Sequence, residues 1–282
     1  MNFVDSDNDL QTMRSGDMNR FNHAMNNIQL KCIQPTGSDL CSLFQHCTSL
    51  VREVNVDEQP SLIICFGGEN QEAMWVNHIN ALSLHDFSIR TLVYDKVQLT
   101  VGFPPKVDGH TMIQHERQLI IFGGNNNQLP GGGDRRIYSF DLDTFEWRVL
   151  PVMNEEEKET PEGRALHSCV YSPVDQCMYV FGGKSTYYQS RRMFNDLFKF
   201  SFKDMRWSQV CADNAPSARS GHSCCFSQSR NSLIIFGGFD TERRYLNDVH
   251  EFELNQMKWN RLDAVDAPMG RERHSATLIG DL

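Results

Sequence analysis

The sequence predicts an all-β fold made of repeated four-stranded sheets, and three recurring markers support this prediction. The first marker is the tripeptide Phe-Gly-Gly, which occurs four times, beginning at Phe66, Phe122, Phe181 and Phe236. Each copy closes an apolar run, such as Leu119-Ile120-Ile121, that is typical of a short buried strand. The copies are 55 to 59 residues apart, so one structural unit is repeated along the chain.

The second marker is a histidine that opens a strand of apolar or small residues. Four histidines precede the tripeptides and a fifth begins a unit that the sequence does not finish: His46, His110, His167, His222 and His274. The last three lie three residues after an arginine, namely Arg164, Arg219 and Arg271. Because every histidine begins the same strand, we expect structural hydrogen bonds, whereas metal ligands would gather at one place.

The third marker follows the tripeptide and comprises an Asn-Asp pair, an alternating strand and a tryptophan. Asn195-Asp196 precedes such a strand in the third unit and Asn247-Asp248 in the fourth, with Trp207 and Trp259 at the same distance beyond. The alternation of apolar and polar residues is that of a half-buried strand. Each unit therefore contains four short strands, and a sheet of this size must pack against neighbours to bury both faces.

Together these markers resemble the Kelch repeat, and the resemblance covers residues 28–282. It implies a Kelch-type β-propeller, in which four-stranded blades surround an axis and bury each other's faces. It places four complete blades and part of a fifth, at residues 44–101, 108–150, 164–210, 219–262 and 271–282. Too few residues precede the first blade to form a BTB-type domain, so the resemblance is to Kelch proteins without one.

The first two blades depart from the repeat pattern. The second lacks the arginine before His110 and has Asp134-Arg135-Arg136 near the Asn-Asp position. The first has Asn77-His78 at that position and Ile89 where a tryptophan is expected. Blades 3 and 4 therefore match the Kelch repeat best.

The predicted ring is incomplete, because Kelch relatives usually close with about six blades. Residues 28–33 are expected to form a lone outer strand, which could complete the last blade without supplying its two middle strands. We expect the sequence to be a fragment, a shortened isoform or an incomplete gene model. As a whole protein it would leave strand edges exposed to aggregation or dimerisation. Residues 1–27, rich in Asn and Asp, are expected to be poorly ordered.

Composition and charge narrow the classes of function. A net charge of −9 and a pI near 5.6 argue against a nucleic-acid partner. No apolar run approaches the roughly 20 residues needed to cross a bilayer, and residues 1–30 lack the apolar segment of a signal peptide. We therefore expect no membrane contact and a cytoplasmic location, with a nuclear one left open. The nine cysteines are expected to be reduced and mostly buried.

No enzyme, cofactor or metal site is predicted. Gly183-Lys184-Ser185 resembles the end of a phosphate-binding loop, but Met178 stands where that motif needs a glycine. The closest groupings of potential metal ligands, around Cys47 and around Cys224, lack the paired spacing of a zinc site. The sequence also has no nucleophile-elbow or zinc-protease motif.

The loops that follow each Phe-Gly-Gly are the predicted interaction site. In Kelch relatives these loops form much of one rim of the propeller, and partners often dock there. In this chain they contain side chains that are typical of protein interfaces: Trp75, Arg135, Arg136, Tyr187, Tyr188, Arg191, Arg192, Arg243, Arg244 and Tyr245. We predict a protein or acidic peptide as the partner, because arginine binds carboxylates through paired hydrogen bonds. Alternatively, these arginines pair with neighbouring blades or only keep the rim soluble.

The leading functional prediction is an intracellular adaptor or scaffold, whose oligomeric state is left open. A narrower prediction, substrate recognition for a ubiquitin ligase, follows only from the Kelch resemblance. An enzyme is the alternative from another class, because some similar propellers are oxidases or isomerases. The copper oxidases among them need a Tyr/Cys/His set at the axis, which this sequence does not assemble. A structural role in bundling filaments is a third alternative.

Overall fold

The computed structural model describes residues 47–51, 62–68, 79–83, 89–92, 104–105, 107–125, 134–144, 146–154, 159–187, 190, 192–264 and 266–279. All of them belong to one unit, Gly37–Leu282, and the other unit, Met1–Thr36, lies outside the described residues. The segment predicted to be poorly ordered (1–27) and the predicted lone strand (28–33) therefore lie outside them as well. The described residues form strands and turns and contain no helix, in agreement with the all-β prediction.

Four antiparallel sheets of four main strands follow one another along the chain, and we call them blades 1 to 4. Blade 1 consists of β1 (Cys47–Val51), β2 (Leu62–Phe66), β3 (Ile79–Ser83) and β4 (Ile89–Leu92). Blade 2 consists of β5 (Thr111–His115), β6 (Gln118–Phe122), β7 (Ile137–Asp141) and β8 (Trp147–Val149). Within both blades the strands pair in chain order.

Blades 3 and 4 have the same order of main strands, with short additions. Blade 3 consists of β10 (Ser168–Ser172), β11 (Cys177–Phe181), β13 (Leu197–Ser201) and β14 (Arg206–Val210), and beside it β9 (Arg164–Ala165) pairs with β12 (Lys184–Ser185). Blade 4 consists of β16 (Ser223–Ser227), β17 (Ser232–Asp240), β18 (Tyr245–Glu253) and β19 (Lys258–Leu262), and β15 (Arg219–Ser220) extends β17. The repeated sheets confirm the predicted Kelch-type propeller architecture.

Apolar clusters fill the spaces between successive blades. At each junction, the phenylalanine of Phe-Gly-Gly packs against the tryptophan of the next blade. The ring centres are 5.1 Å apart for Phe122 and Trp207 and 4.9 Å apart for Phe181 and Trp259. Because these rings are large and buried, the tryptophans fill the space between successive blades.

The Gly-Gly pair is where one blade touches the backbone of the next. Gly182 has a φ of 64° and Gly183 a φ of 94°, a region that residues with a Cβ rarely adopt. The Gly183 amide donates to the carbonyl of Arg219 in the following blade at 2.8 Å. A Cβ on Gly182 would lie only 2.9 Å from that same carbonyl oxygen. Both the turn and the close approach therefore require glycine.

The arginine of the Arg-x-x-His marker binds the aspartate of the Asn-Asp marker within the same blade. In blade 3, the fully buried Arg164 donates two hydrogen bonds to the Asp196 carboxylate, at 2.6 and 3.1 Å. In blade 4, Arg219 binds Asp248 in the same way, at 2.7 and 2.9 Å. Each arginine also donates to the carbonyl of the first glycine of the pair, which is Gly182 in blade 3. This bidentate pairing explains why the two markers occur together.

The histidines form a series of hydrogen bonds between blades. Each imidazole Nε2 lies within hydrogen-bond distance of a side chain of the preceding blade. That side chain belongs to the residue directly after the preceding blade's own histidine. The Ser168 hydroxyl lies 2.8 Å from Nε2 of His222, and the Ser223 hydroxyl lies 2.8 Å from Nε2 of His274. At the first junction the thiol of Cys47 takes the place of the hydroxyl. The expectation of structural hydrogen bonds is thus confirmed for the described histidines.

The link between blades 2 and 3 covers the outer edge of blade 3. The Asn154 side chain donates to the Trp207 carbonyl and accepts from the Trp207 amide, both at 2.9 Å. Asn154 is itself buried, so one amide side chain satisfies both backbone groups of an edge residue.

Residues 271–274 repeat, on blade 4, the contacts that begin every blade. The Gly238 amide donates to the Arg271 carbonyl at 2.8 Å, and the Phe236 ring lies 5.1 Å from the His274 ring. Residues 275–279 form no strand. The first main strands of successive blades pack side by side, β1 on β5, β5 on β10 and β10 on β16, whereas the described strands show no such packing of β1 on β16, so these blades do not close a ring.

Replacing Arg164 with leucine should lower the free energy of unfolding by about 3 kcal/mol, because Asp196 would keep a largely buried charge without its partner. The measurement is urea unfolding followed by tryptophan fluorescence. Arg192→Leu is the matched control, since Arg192 pairs with Glu162 and both side chains are exposed; its effect should stay below about 1 kcal/mol. Equal losses in the two variants would contradict the importance of the buried pair.

Stability should fall as the pH is lowered from about 7.5 to about 5.5. Burial, followed by the neighbouring Arg219, lowers the pKa of His222 to about 3, and burial also lowers the pKa of His167 and His274. An unfolded histidine has a pKa of about 6.5, so the unfolded chain takes up the proton first as the pH falls. The contribution of each imidazole is complete above that value and decreases toward the folded pKa.

The expected decrease in the free energy of unfolding at pH near 5.5 is on the order of 1 kcal/mol for each buried imidazole. Urea unfolding at the two pH values measures it. Carboxylates remain largely ionised over this range, so they contribute little. A free energy of unfolding that is unchanged between the two values would contradict the neutral state of these histidines.

Candidate interaction site

The predicted interaction site lies in the loops after each Gly-Gly pair, and we call these loops the rim. Seven of the ten predicted side chains are described: Arg135, Arg136, Tyr187, Arg192, Arg243, Arg244 and Tyr245. The other three, Trp75, Tyr188 and Arg191, lie outside the described residues. The seven are exposed, and they come from three different blades.

Both rim arginines of blade 2 are held by local partners. Arg136 donates from its backbone amide and its guanidinium to the buried carboxylate of Asp134, at 2.7 to 3.0 Å. The Tyr138 hydroxyl also donates to Asp134. Arg135 donates to the hydroxyl of Thr160. Asp134 therefore acts as a local anchor for this loop.

The Asp134 anchor replaces the Arg–Asp pair of blades 3 and 4. By strand register, Arg136 occupies the position of Asp196, since each directly precedes the first residue of the third main strand. The position of Arg164 is taken by Val107, three residues before His110. Blade 2 therefore has an arginine where blade 3 has the aspartate of the pair, and it has lost the arginine with which that aspartate would pair.

In blade 3, Arg192 forms an ion pair with Glu162 at 2.5 Å and lies over the ring of Phe194, 5.0 Å from its centre. Tyr187 is exposed, and its backbone amide donates to the Ser185 hydroxyl. Lys184 lies in β12, paired with Ala165 of β9. Strand β12 follows Gly183 where a phosphate-binding loop would require a helix, in agreement with the sequence analysis.

Blade 4 raises its rim loop on a long β-ribbon. Strands β17 and β18 have nine residues each, whereas the corresponding strands of blades 1 to 3 have five. At the ribbon tip, the buried carboxylate of Asp240 accepts from the amides of Glu242 and Arg244 and from the Arg244 guanidinium. A second ion pair joins Arg244 to Glu242 at 2.9 Å. Two carboxylates therefore fix Arg244.

Arg243 differs from the other rim arginines. Its backbone has a φ of 63°, and its amide donates to the Asp240 carbonyl, which sets the turn of the ribbon. Within the described part of the chain, its exposed guanidinium forms no hydrogen bond or ion pair. Beside it, Tyr245 is 60% exposed and its ring lies 5.2 Å from that of Phe239 on the facing strand.

The ribbon tip thus carries one guanidinium that forms no hydrogen bond or ion pair with the described residues, together with the exposed Tyr245, whose ring packs on the half-buried Phe239. Such an arrangement can bind a carboxylate through paired hydrogen bonds and an apolar side chain on the rings. The structure brings Arg243, Arg244 and Tyr245 together on this tip, while it leaves Arg135, Arg136 and Arg192 on other loops with partners of their own. Asp134 is visible in the sequence only as a residue near the Asn-Asp position, and no sequence pattern points to the other residues that make this division, namely Thr160, Glu162, Asp240 and Glu242.

The described residues contain no group of three or more His, Cys, Asp or Glu side chains placed to hold a metal ion. In the same part of the chain, no helix is long and apolar enough to cross a membrane. The seven described cysteines are free thiols, of which six are buried or half-buried and Cys211 is exposed.

Comparisons with known proteins agree with the repeated architecture. The family model of the KLHDC2/KLHL20/DRC7 Kelch-repeats domain matches residues 9–212 and 174–282. The chain is 27% identical over 226 residues to acyl-CoA-binding domain-containing protein 5 of Arabidopsis thaliana, covering 76% of this chain and 32% of that protein. It is 29% identical over 182 residues to Kelch domain-containing protein 3 of Homo sapiens, covering 60% and 44%.

A third relative is dynein regulatory complex subunit 7 of Chlamydomonas reinhardtii, which is 32% identical over 106 residues, covering 37% of this chain and 9% of that protein. The chain spans less than half the length of each of these three relatives. The family model covers nearly all of the chain, and the observed blades contain the contacts that the repeated markers make. The chain therefore belongs to the family of Kelch-repeat proteins.

Proposed function

We propose that this chain is a protein-interaction module that binds an acidic protein or peptide through its rim. The observation that carries the proposal is the uncompensated guanidinium of Arg243 at the tip of the blade 4 ribbon. In an acidic chain, an exposed arginine that forms no ion pair with the described carboxylates of its own chain is available to a carboxylate of a partner. Tyr245 supplies apolar contact area next to it, and arginine and tyrosine are the side chains most often found at the centres of interfaces.

The remaining rim arginines contribute in a different way. Because Arg136, Arg192 and Arg244 are already paired with carboxylates, a partner would have to compete with those carboxylates for them. Their pairs instead fix the shape of the rim loops, which lowers the entropy lost on binding. We therefore place the main electrostatic contact at Arg243 and assign the other arginines to the rim's shape.

The relatives support the same class of function. One of them is named as a subunit of a dynein regulatory complex, and another is named only for its Kelch domain. A Kelch domain that works by association fits both names. The fold does not identify the partner, since propellers carry many functions; the chemistry of the ribbon tip supports an acidic one.

Arg243→Glu should weaken partner binding at least about tenfold, because it replaces an attractive contact at the site by a repulsive one. The chain would be used as bait in cell extract, captured proteins would be identified by mass spectrometry, and the affinity would be measured again with the purified partner. The free energy of unfolding should be unchanged, since the Arg243 side chain contacts no described residue through hydrogen bonds or ion pairs.

Arg261→Glu is the matched control, because it makes the same change of charge on an exposed residue of β19, which is not part of the ribbon tip. Its affinity for the partner should equal that of the unaltered chain. Capture of the same proteins with equal affinity by the Arg243→Glu variant would contradict the proposal.

A further inference from the structure

A cleft of about 600 Å³ lies in blade 3, at the ends of β11 and β13 that point away from the rim loops. Its volume is within the usual range for small-molecule sites. The lining includes Cys177, Lys199, Lys203 and Arg206, together with three carboxylates. The cleft shares no residue with the rim, so an activity here would be independent of the proposed function.

The repeat itself shows what normally occupies the position of Lys199. By strand register, Lys199 corresponds to Ser139 in blade 2 and to Glu251 in blade 4. Its neighbour Cys177, the first residue of β11, corresponds to Gln118 and Ser232. Three equivalent pairs of side chains can therefore be compared.

In blades 2 and 4 the two side chains satisfy each other. The Ser139 hydroxyl donates to the Gln118 side chain at 2.9 Å. The Ser232 hydroxyl donates to the Glu251 carboxylate at 2.7 Å, and Arg230 forms an ion pair with the same carboxylate at 3.0 Å. Ser139, Ser232 and Glu251 are thus buried and bonded, and Gln118 is half-buried and bonded.

In blade 3 the pair is broken. The Cys177 thiol donates to the Asp175 carbonyl at 3.3 Å and not to a side chain of the neighbouring strand. Burial, followed by the charge of Asp175, raises the pKa of Cys177 to about 12, so the thiol stays neutral and offers no counter-charge. Lys199 is half-buried, and among the described residues its ammonium has no hydrogen-bond or ion-pair partner.

Two carboxylates of the cleft accept hydrogen bonds from hydroxyl groups and not from Lys199. Asp175 accepts from the Tyr179 hydroxyl at 2.6 Å, and Asp204 accepts from the Ser201 hydroxyl at 2.9 Å. Glu159 is exposed, and none of the three forms an ion pair with Lys199 in the described part of the chain. Lys199, a half-buried residue that lines the cleft, therefore has no anionic partner among the described residues.

The geometry points to an anion-binding site in this cleft, at which Lys199 receives one carboxylate or phosphate group of a small molecule. Lys203 also lines the cleft and adds positive charge, whereas Arg206 is engaged in an interaction of its own. The three carboxylates limit the site to a single anionic group and disfavour polyanions such as nucleic acid, because like charges would meet there.

The 282-residue chain should bind one anion in the millimolar range when it is dialysed against radiolabelled phosphate or radiolabelled acetate. The two anions distinguish a phosphate site from a carboxylate site. Lys199→Gln should weaken binding about tenfold or more, since it removes the charge-assisted hydrogen bond at the floor of the cleft. Lys258→Gln is the matched control, because Lys258 is an exposed lysine of β19 outside the cleft, and it should bind as the unaltered chain does.

A second variant separates a loss of the site from a loss of the fold. The double substitution Cys177→Gln with Lys199→Ser installs in blade 3 the pair that blade 2 has, so it should keep the free energy of unfolding and lose anion binding. Failure of the unaltered chain to bind either anion, or equal binding by the Lys199→Gln chain, would overturn the inference. Neither result would affect the partner-binding test at Arg243.

Discussion

The contact between the Gly-Gly pair of one blade and the Arg-x-x-His segment of the next holds the rest of this structure in place. The amide of the second glycine donates to the arginine carbonyl, and the first glycine lies too close to that carbonyl to carry a side chain. Around this contact, the phenylalanine before the glycines packs on both the histidine and the tryptophan of the following blade, as Phe181 does on His222 and Trp259. Because a lone four-stranded sheet cannot bury both faces, the spacing between blades set here decides whether the apolar clusters close.

The same contact determines where the rim loops leave the blade. Arg164 reaches from the start of blade 3 to Asp196 and to the carbonyl of Gly182, so one guanidinium ties both ends of the rim loop of its blade. Blade 2 lacks this arginine, and its loop is held by Asp134, which accepts from Arg136 and Tyr138. Different residues thus solve one problem, the anchoring of a loop between the second and third main strands.

The repeated markers are enough to predict the fold, because each marker is a backbone or packing requirement that recurs. Positive φ at the glycine pair is found in all four blades, and blades 3 and 4 add a buried tryptophan ring and a bidentate acceptor at aspartate. The candidate site could be predicted only as a region. Whether an arginine is engaged depends on a carboxylate that lies close by in the sequence for Arg136 and Arg244 but 30 residues away for Arg192, and no periodicity in the sequence links such residues. The alternation of apolar and polar residues along β13 likewise places Lys199 at a polar position. It gives no sign that Cys177, on the neighbouring strand, forms no hydrogen bond with Lys199.

Comparison of equivalent positions among the blades separates structural charges from available ones. A charge that the repeat satisfies, as with Arg164 in blade 3 and Arg219 in blade 4, belongs to the fold, since its removal leaves a largely buried carboxylate without its arginine. Lys199 is different, because blade 3 lacks the hydrogen-bond partner that blades 2 and 4 provide at the equivalent position. Its charge is therefore not explained by the fold. Arg243 stands apart from the engaged Arg244 beside it on the same turn. Arg243 and Lys199 lie on separate surfaces of the propeller. Each surface therefore has its own chemistry, and loss of one leaves the other intact.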